Sequence, residues 1–325
     1  MEEAARLMDT ARGRANPEHI PVLRDDVVRF LTTGRGGTLV DGTVGLGGHA
    51  EALLLADPEV RVVGIDRDPH ALDRARLRLA RFADRVRFVH GSFADLREHL
   101  AHLGVTAVDG VLLDLGVSSM QLDDAERGFS LRADGPLDMR MDPSCGPTAA
   151  EWLASVDARE LERVLSTYGE ERYARRIARA IDAARERDPL LTTRQLVDVV
   201  HRAVPGVYFA ERIDPATRTF QAVRIAVNGE LAALERGLEQ GFDALAAGGV
   251  LAVISFHSLE DRMVKTFLRE RAAACTCPPD LPECRCGKKI EAEILTRKPI
   301  IAAPSEVAAN PRARSAKLRA ARRVI

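Results

Sequence analysis

Short apolar runs that end in a carboxylate recur along the first part of the chain. Three of them end at Asp41, Asp66 and Asp114. Continuous apolar runs of this length are typical of strands buried on both faces of a parallel sheet. Between them apolar residues repeat at helical spacing, as over residues 68–79, which open with an Asp-Pro pair suited to a helix start. The pattern predicts an α/β fold with a doubly wound, Rossmann-like sheet.

After these runs, the next clear strand of the sheet is predicted at residues 250–255. The gap is much longer than one crossover helix. Most of it shows apolar residues at spacings of three or four, so we expect an inserted all-helical domain over residues 125–217. An unbroken apolar period over residues 220–245 predicts one crossover helix that returns the chain to the sheet. The sheet domain would then comprise residues 1–124 and 218–325.

A polar tract follows the last of the three runs. Residues 115–142 are crowded with Gly, Ser, Asp and Arg but keep apolar residues at intervals. A loop of this length is uncommon unless it is functional or disordered, and its apolar content argues against disorder. Ligands of open α/β sheets bind beyond the carboxyl ends of the strands. The sequence therefore predicts a functional site at Asp114 and in the tract behind it.

The turn after Asp41 is rich in glycine and reads Gly45-x-Gly47-x-x-Ala50. Glycines there allow a tight turn and close approach of a ligand to the backbone, and the helix that follows points free N–H groups at it. Asp66 follows Gly45 by roughly twenty positions, the spacing at which a carboxylate reaches a ribose hydroxyl in dinucleotide folds.

The charge of the strand ends separates two candidate cofactors. A carboxylate at Asp41 would repel the pyrophosphate of NAD, but it attracts a ligand with an α-amino group and a sulfonium. S-adenosylmethionine therefore fits the acidic rim formed by Asp41, Asp66 and Asp114 better than NAD does. The glycine pattern alone would suit either cofactor.

Longer motifs allow a comparison with a known family. They read HIPVLRDDVV (19–28), VDGTVGLGGHAEALL (40–54), GIDRDPHAL (64–72), DGVLLDLGVSSMQLDDAERGFSLRADGPLDMRMDP (109–143), YGEERYARRIARAI (168–181), DPATRTFQAVRIAVNGEL (214–231), VISFHSLEDRMVKTF (253–267) and NPRARSAKLRAA (310–321). In this order they closely resemble the ribosomal RNA small subunit methyltransferase H family, also called MraW, over residues 19–322. One departure is Asp214, where many relatives carry His.

The resemblance implies a class I methyltransferase that uses S-adenosylmethionine to methylate the exocyclic N4 of one cytidine in the decoding region of bacterial 16S rRNA. Its expected partner is that RNA, within the small ribosomal subunit. The resemblance also implies which residues contact the cofactor, since each occupies a matching motif position: Gly47, Gly48, His49, Asp66, Phe93, Asp114 and Gln121. Phe93 follows the third strand and is placed to flank an adenine.

Asp114 is also the candidate catalytic residue. The N4 amine of cytosine is a poor nucleophile because its lone pair is delocalised into the ring, so it needs an acceptor that can take its proton. Asp114 ends the strand nearest the expected methyl group, with Ser118 and Ser119 shortly behind it. The alternative, which the resemblance supports, is that Asp114 contacts only the cofactor. The acceptor would then lie among the two serines and the 255–258 turn.

Composition and charge fit a globular enzyme. The 325 residues are 46% hydrophobic and 29% charged, and the chain is long enough for two domains. No apolar run reaches the roughly 18 residues of a membrane helix, and the acidic start MEEAARLMD is not a signal peptide, so we expect a cytoplasmic protein without a membrane partner. The formal net charge is −1, but residues 311–325 carry six basic residues and no acidic one. Such a tail reads as a solvated arm that can meet RNA phosphates.

Four cysteines fall within twelve residues: Cys275, Cys277, Cys284 and Cys286. A disulfide is not expected in the cytosol. Four thiolates close together suit tetrahedral zinc as a structural staple, although the usual spacing is Cys-x-x-Cys and this one is tighter, so a cluster without metal stays open. Cys145 is too distant in sequence to be assigned.

Three other functions fit parts of the sequence. An NAD-dependent oxidoreductase is supported only by the glycine pattern. A non-catalytic RNA-binding or assembly factor would keep the fold as a scaffold. A DNA amino-methyltransferase would carry an Asp/Asn/Ser-Pro-Pro-aromatic tetrapeptide after the fourth strand. This chain has Asp114-Leu115-Gly116-Val117 there, which argues against DNA as the partner.

Overall fold

The computed structural model of the protein describes residues 21–32, 34, 36–210, 213–275, 277 and 286–325. Its helices are α1 Arg24–Leu31, α2 Gly48–Ala56, α3 Pro69–Arg78, α4 Leu96–His102, α5 Ser119–Asp123, α6 Ala149–Ser155, α7 Ala158–Tyr168, α8 Ala174–Arg185, α9 Thr193–Ala203, α10 Ala216–Asn228, α11 Glu230–Asp243, α12 Ser258–Ala272 and α13 Pro304–Ala309. Its strands are β1 Gly37–Asp41, β2 Val60–Asp66, β3 Val86–His90, β4 Val108–Asp114, β5 Leu245–Ser255, β6 Ala292–Ile294, β7 Ile300–Ile301 and β8 Lys317–Arg323. Within those ranges, none of the helices is both long and apolar enough to cross a membrane.

The strands form one sheet in the order β3-β2-β1-β4-β5-β8-β6, and β7 also pairs with β8. The first five strands of that order are parallel. The register sets Asp41 beside Gly64 of β2 and Leu112 of β4. The chain order reverses between β1 and β4, so a crevice opens at their carboxyl ends. The predicted doubly wound α/β fold is confirmed.

Successive residues of the parallel strands pack on opposite faces of the sheet. Leu39 lies in the core formed with α1, α2 and α3, whereas its neighbour Val40 lies in the core formed with α4, α11 and α12. Burying a Leu or Val side chain contributes about 1.5–3 kcal/mol. Because helices cover both faces, β2 and β4 each carry a run of four buried residues before the final carboxylate, which is the pattern that made them recognisable in the sequence.

The expectation that residues 311–325 form a solvated basic arm is wrong. Residues 317–323 of the segment form strand β8, which lies between β5 and β6 and is antiparallel to both. Arg319 donates to Asp261 at 2.7 Å, and Arg322 donates to Glu293 at 2.8 Å. Carboxylates of the protein itself therefore pair with these basic side chains.

The prediction of one unbroken helix over residues 220–245 is also wrong. Gly229 has a φ of +59° and separates α10 from α11. A residue in this left-handed conformation ends an α-helix, and glycine adopts it at the lowest cost. The two helices bury their apolar faces in different places, since Phe220 joins the core of the helical region and Leu234 joins the core of the sheet.

Helices α6 to α10 pack around a core of their own, whose members lie between Phe129 and Val223. This core is separate from the two cores that cover the faces of the sheet. Because α10 belongs to it, we propose that the inserted helical domain, expected over residues 125–217, extends to Gly229.

Leu318→Ala tests the place of β8 in the sheet. The substitution should lower the free energy of unfolding by about 2–5 kcal/mol, because it leaves a cavity where a fully buried side chain stood. Leu77→Ala is the control, since Leu77 is 75% exposed, and it should cost less than about 0.5 kcal/mol. Denaturant unfolding measures both. If both substitutions change the free energy of unfolding equally little, the C-terminal segment is a solvated arm and not a strand of the sheet.

Candidate active site

A pocket opens at the carboxyl edge of the sheet, where the chain order reverses between β1 and β4. Its walls come from the turn after β1, the ends of β2 and β4, the turn after β3 and the loop that leads into α5. The start of α11, the turn after β5, and the side of the molecule that carries Asn310 and Arg312 complete it. Asp66 and Asp114, two of the three strand ends that the sequence singled out, therefore line one cavity, whereas Asp41 lies behind its wall.

The glycine-rich turn after β1 forms one wall of this pocket. Gly47 has a φ of +79° and precedes α2, and it stands behind the pocket wall and not on it. Gly48 lines the pocket, and a Cβ there would lie 2.6 Å from Cγ of Pro21, so a larger residue would displace the neighbouring chain. His49 also lines the pocket, with its ring 6% exposed. Two of these three predicted contacts thus face the cavity.

Asp66 fixes the shape of the turn from the end of β2. Its Oδ2 accepts the backbone N–H of Gly45 at 2.7 Å, and its Oδ1 accepts that of Asp68 at 2.9 Å. Burial is the largest influence on this carboxyl and raises its pKa to about 6, although the two backbone bonds oppose the shift. Each oxygen keeps a further lone pair, so Asp66 can still accept a bond from a ligand hydroxyl in the pocket.

Asp41 lies beneath the turn and is 1% exposed. Its Oδ1 accepts the backbone N–H of Thr43 at 3.2 Å, while its Oδ2 is buried and finds no hydrogen-bond partner among the described residues. Burial raises the pKa of Asp41 to about 7; the nearby His49 opposes this shift, whereas the charge of Asp114 adds to it. A buried carboxylate that lacks a partner is costly, so this position favours a ligand with positive charge.

Asp114 reaches the same pocket from the end of β4. Its backbone N–H donates to Oγ1 of Thr43 at 2.6 Å, which fixes the strand end against the turn. Its Oδ2 lies 3.5 Å from Nε2 of His49. Its Oδ1 is buried without a hydrogen-bond partner in the described part of the chain. An acceptor oxygen is therefore available to a donor that enters the pocket.

The side chain of Gln121 connects the loop before α5 with Asp68 at the start of α3. Its Oε1 accepts the N–H of Ser118 at 3.0 Å, and its Nε2 donates to Asp68 at 2.9 Å. Arg127 reaches the same Asp68 carboxylate at 2.8 Å. Gln121 lines the pocket, so the predicted contact with a cofactor would have to share these bonds.

Phe93 stands on the pocket wall at the start of the short 3-10 helix Phe93–Asp95. Gly237 of α11 lies directly behind its ring, since a Cβ there would come within 2.3 Å of Cδ2 of Phe93. The absence of a side chain at Gly237 lets the ring pack closely against the helix. An aromatic surface is thus held at one side of the cavity.

The remaining candidate acceptors have different surroundings. Ser118 caps α5, its hydroxyl accepting the N–H of Gln121 at 3.2 Å. Ser119 lines the pocket, and its Oγ is buried with no hydrogen-bond partner within the described ranges. His257 is the N-cap of α12, and Ser258 donates to Glu170 of the helical region. Ser119 is the one of these four groups that both faces the cavity and keeps a buried, unused oxygen.

The sequence reasoning missed two carboxylates of the pocket wall, Glu230 and Glu260. Arg224 holds Glu230 with two hydrogen bonds, at 2.8 and 2.7 Å. Burial pushes the pKa of Glu260 upward, but its contacts with His257 and with the N–H of Phe256 hold that pKa below its usual value. These residues lie within motifs of the sequence, yet nothing in their spacing showed that they would meet.

A second cavity adjoins the first and shares Val117 and Arg312 with it. It lies between the polar tract and α10. Aromatic and basic side chains both line it, including Phe129, Arg132 and Phe220. The two cavities together connect the acidic strand ends with the helical region.

The structure brings three of the four clustered cysteines together. The Sγ atoms of Cys275, Cys277 and Cys286 all lie within 4.8 Å of one another. Cys284, the fourth thiol of the zinc prediction, lies outside the described residues. Cys145 is an exposed residue between the polar tract and α6, and it takes no part in the cluster.

The doubly wound sheet and the acidic pocket at its strand reversal define a Rossmann-like α/β protein with a ligand site at the strand ends. A model of the MraW methylase family matches residues 16–324, and the chain belongs to that family. The predicted resemblance is confirmed.

Two relatives show how similar the family members are. The ribosomal RNA small subunit methyltransferase H of Trichlorobacter lovleyi is 54% identical over 307 residues, which cover 94% of this chain and 98% of that protein. The protein of the same name from Syntrophotalea carbinolica is 54% identical over 308 residues, with the same coverage of both chains. Among solved structures, the chain is similar to the N-methyltransferase NodS from Bradyrhizobium japonicum, which was solved in complex with S-adenosyl-L-homocysteine. The two sequences are 10% identical, and the alignment covers 98% of this chain and 97% of that chain with a TM-score of 0.43. This likeness is too low to carry an argument.

The pKa of Asp41 makes a prediction about stability. A carboxyl with a pKa of about 7 in the folded protein and about 3.8 when unfolded stabilises the fold fully below pH 3.8, and this contribution is lost as pH rises through 7. Asp41→Asn cannot ionise. Between pH 4.5 and 8, the difference in unfolding free energy should therefore shift in favour of the variant by about 2–4 kcal/mol.

Denaturant unfolding of both proteins across that pH range measures the shift. The two proteins share every other titrating group, so the difference reports Asp41 together with its charge coupling to His49 and Asp114. A difference that does not change with pH would contradict the raised pKa.

Proposed function

We propose that this protein transfers a methyl group from S-adenosylmethionine to the exocyclic N4 of a cytidine in the decoding region of 16S rRNA, within the small ribosomal subunit. The names of its relatives, which are small-subunit rRNA methyltransferases, support RNA as the substrate. The motif resemblance supports the N4 position and the decoding region. The observation that carries the chemistry is the buried Oδ1 of Asp114 beside the glycine-rich turn, which has no hydrogen-bond partner among the residues that the structure describes.

The residues of the pocket fit this cofactor better than they fit a nicotinamide dinucleotide. Asp41 and Asp114 each have a buried carboxylate oxygen that lacks a hydrogen-bond partner among the described residues. Such oxygens attract an ammonium or a sulfonium and repel a pyrophosphate. Asp66 faces the pocket and can accept from ribose hydroxyls. When bound, S-adenosylmethionine supplies an electrophilic methyl group.

We assign the cofactor contacts to the residues that the motifs indicated: Gly47, Gly48, His49, Asp66, Phe93, Asp114 and Gln121. Phe93 would flank the adenine, because its ring is held at the pocket wall by the close approach of α11. Gly47 would affect cofactor binding indirectly, through the conformation of the turn after β1, because it lies behind the pocket wall. Gln121 would act mainly through position, because Ser118 and Asp68 already use its amide group.

Asp114 would act on the amine of the base. An acceptor oxygen that hydrogen-bonds the N–H draws the lone pair out of conjugation with the ring and takes the proton as positive charge builds on nitrogen. The same contact holds the amine in line with the methyl carbon, at about 3 Å. Oδ2 lies toward His49, so the unpaired Oδ1 is the oxygen that we assign to the amine.

The second cavity offers a route for the target nucleotide. A base must leave its stack to reach an enclosed site of this kind. Phe129 and Phe220 provide apolar surface there, and Arg132 adds positive charge near the path of a phosphate backbone. We infer that the nucleotide enters between the polar tract and α10 and presents its base edge to Asp114.

The function is tested with small ribosomal subunits that lack the modification. Incubation with labelled S-adenosylmethionine, followed by nucleoside mass spectrometry, should yield N4-methylated cytidine at one position of the decoding region. A matched DNA oligonucleotide should stay unlabelled. Binding of subunits without any methyl transfer would instead favour an assembly factor, and calorimetric binding of NADH but not of S-adenosylmethionine would favour an oxidoreductase.

Asp114→Asn separates the two roles of this residue. The variant keeps the size and one acceptor but loses the charge. We expect single-turnover methyl transfer to fall by about 10²–10⁴-fold, and affinity for S-adenosylmethionine to fall by less than about tenfold. Asp73→Asn, at an exposed position of α3, is the matched control and should change neither quantity. Equal losses in both would make Asp114 a binding residue only, and Ser119 would become the candidate acceptor.

A further inference from the structure

The cysteine cluster is formed by three residues that lie within twelve positions of one another in the sequence. Cys275 and Cys277 follow the end of α12, and Cys286 comes after a further stretch of chain, before β6. Nevertheless their three Sγ atoms lie within 4.8 Å of one another. Cys275 and Cys286 are exposed, so burial of apolar thiols does not explain why they converge.

The distance between Cys275 and Cys286 distinguishes between two kinds of cross-link. Their Sγ atoms are 3.8 Å apart. A disulfide would require about 2.05 Å. In a tetrahedral zinc site with Zn–S bonds of about 2.3 Å, two sulfurs at adjacent corners are about 3.8 Å apart. The spacing therefore excludes a disulfide, and it matches two ligands of one ion as well as a thiol–thiol hydrogen bond.

The donor set decides which ion fits. Three sulfur ligands favour zinc over magnesium or calcium, which prefer oxygen. A second group with metal-binding side chains, formed by Glu230, His257 and Glu260, differs in this respect. Arg224 already neutralises Glu230, and the backbone N–H of Phe256 donates to Glu260. The carboxylates of that group therefore serve contacts within the protein, whereas the cysteine cluster presents three sulfur atoms within reach of one ion.

We propose that Cys275, Cys277 and Cys286 bind one zinc ion, which serves a structural purpose. The ion would join the end of α12 to the segment that enters β6. The neighbouring contacts run between the same two elements, since the N–H of Glu291 donates to the carbonyl of Arg271 at 2.9 Å and their side chains pair at 2.6 Å. Zinc would therefore fix the connection that brings β6 to the edge of β8. This site is independent of the proposed methyl transfer.

Metal content tests the proposal directly. The full-length protein is purified without chelator and without a histidine tag, under reducing conditions, and its zinc is measured by mass spectrometry. We expect about one equivalent in the unaltered protein and a loss of at least fivefold in Cys275→Ser and in Cys286→Ser. Cys145→Ser is the matched control, because this exposed cysteine lies outside the cluster, and it should keep the full content.

Cobalt gives a second readout that does not depend on the metal acquired in the cell. Titration of the metal-free protein with Co²⁺ should produce thiolate-to-cobalt charge-transfer bands and the visible bands of tetrahedral cobalt, both absent from Cys286→Ser. The proposal is overturned if the unaltered protein holds less than a tenth of an equivalent of zinc and gives no such bands. It is also overturned if Cys145→Ser loses as much metal as the cluster variants do.

Discussion

A fully buried carboxylate, Asp68, holds the long polar tract of the chain against the sheet. It accepts hydrogen bonds from Gln121 at 2.9 Å and from Arg127 at 2.8 Å. Arg127 in turn donates to the backbone carbonyls of Arg140 and Met141, both at 3.0 Å. A buried charge is tolerated only when it is paired and hydrogen-bonded, so Asp68 and Arg127 depend on each other. The tract is therefore a folded wall of the pocket, and the position of Ser119 relative to the turn after β1 depends on that wall.

The strand ends could be predicted from the sequence, but the contact that organises them could not. Asp41, Asp66 and Asp114 each follow an apolar run, and a general rule of α/β sheets brings such ends together. Asp68 was recognised only as the N-cap of α3, which it is, since it accepts the N–H of His70 at 3.1 Å. Its other oxygen binds residues that are 53 and 59 positions away. No local pattern encodes a contact at that separation, because the intervening fold decides which side chains meet.

Two errors in the fold prediction have equally specific causes. Strand β8 contains one large apolar residue, Leu318, among four basic ones, so its pattern resembles a solvated tail. Carboxylates from α12 and β6 supply the missing neutralisation, and they are distant in sequence. The sequence pattern does not show the helix break at Gly229, because the apolar period continues across it. A glycine within a helical pattern is tolerated at a cost of about 1 kcal/mol, and the sign of its φ angle is set by where the two flanking helices pack.

The raised pKa values at the strand ends also bear on how the proposed reaction would turn over. Burial raises the pKa of Asp41 to about 7 and that of Asp66 to about 6, so negative charge at the ends of β1 and β2 is disfavoured. A cationic ligand offsets this cost by attracting the carboxylates. For unit charges about 4 Å apart, the attraction is about 1 kcal/mol in water and about 4 kcal/mol near a protein surface. Loss of the methyl group removes the positive charge of the sulfonium. Under the proposed function, the same carboxylates would therefore favour entry of the charged cofactor and weaken the hold on its neutral sulfur product.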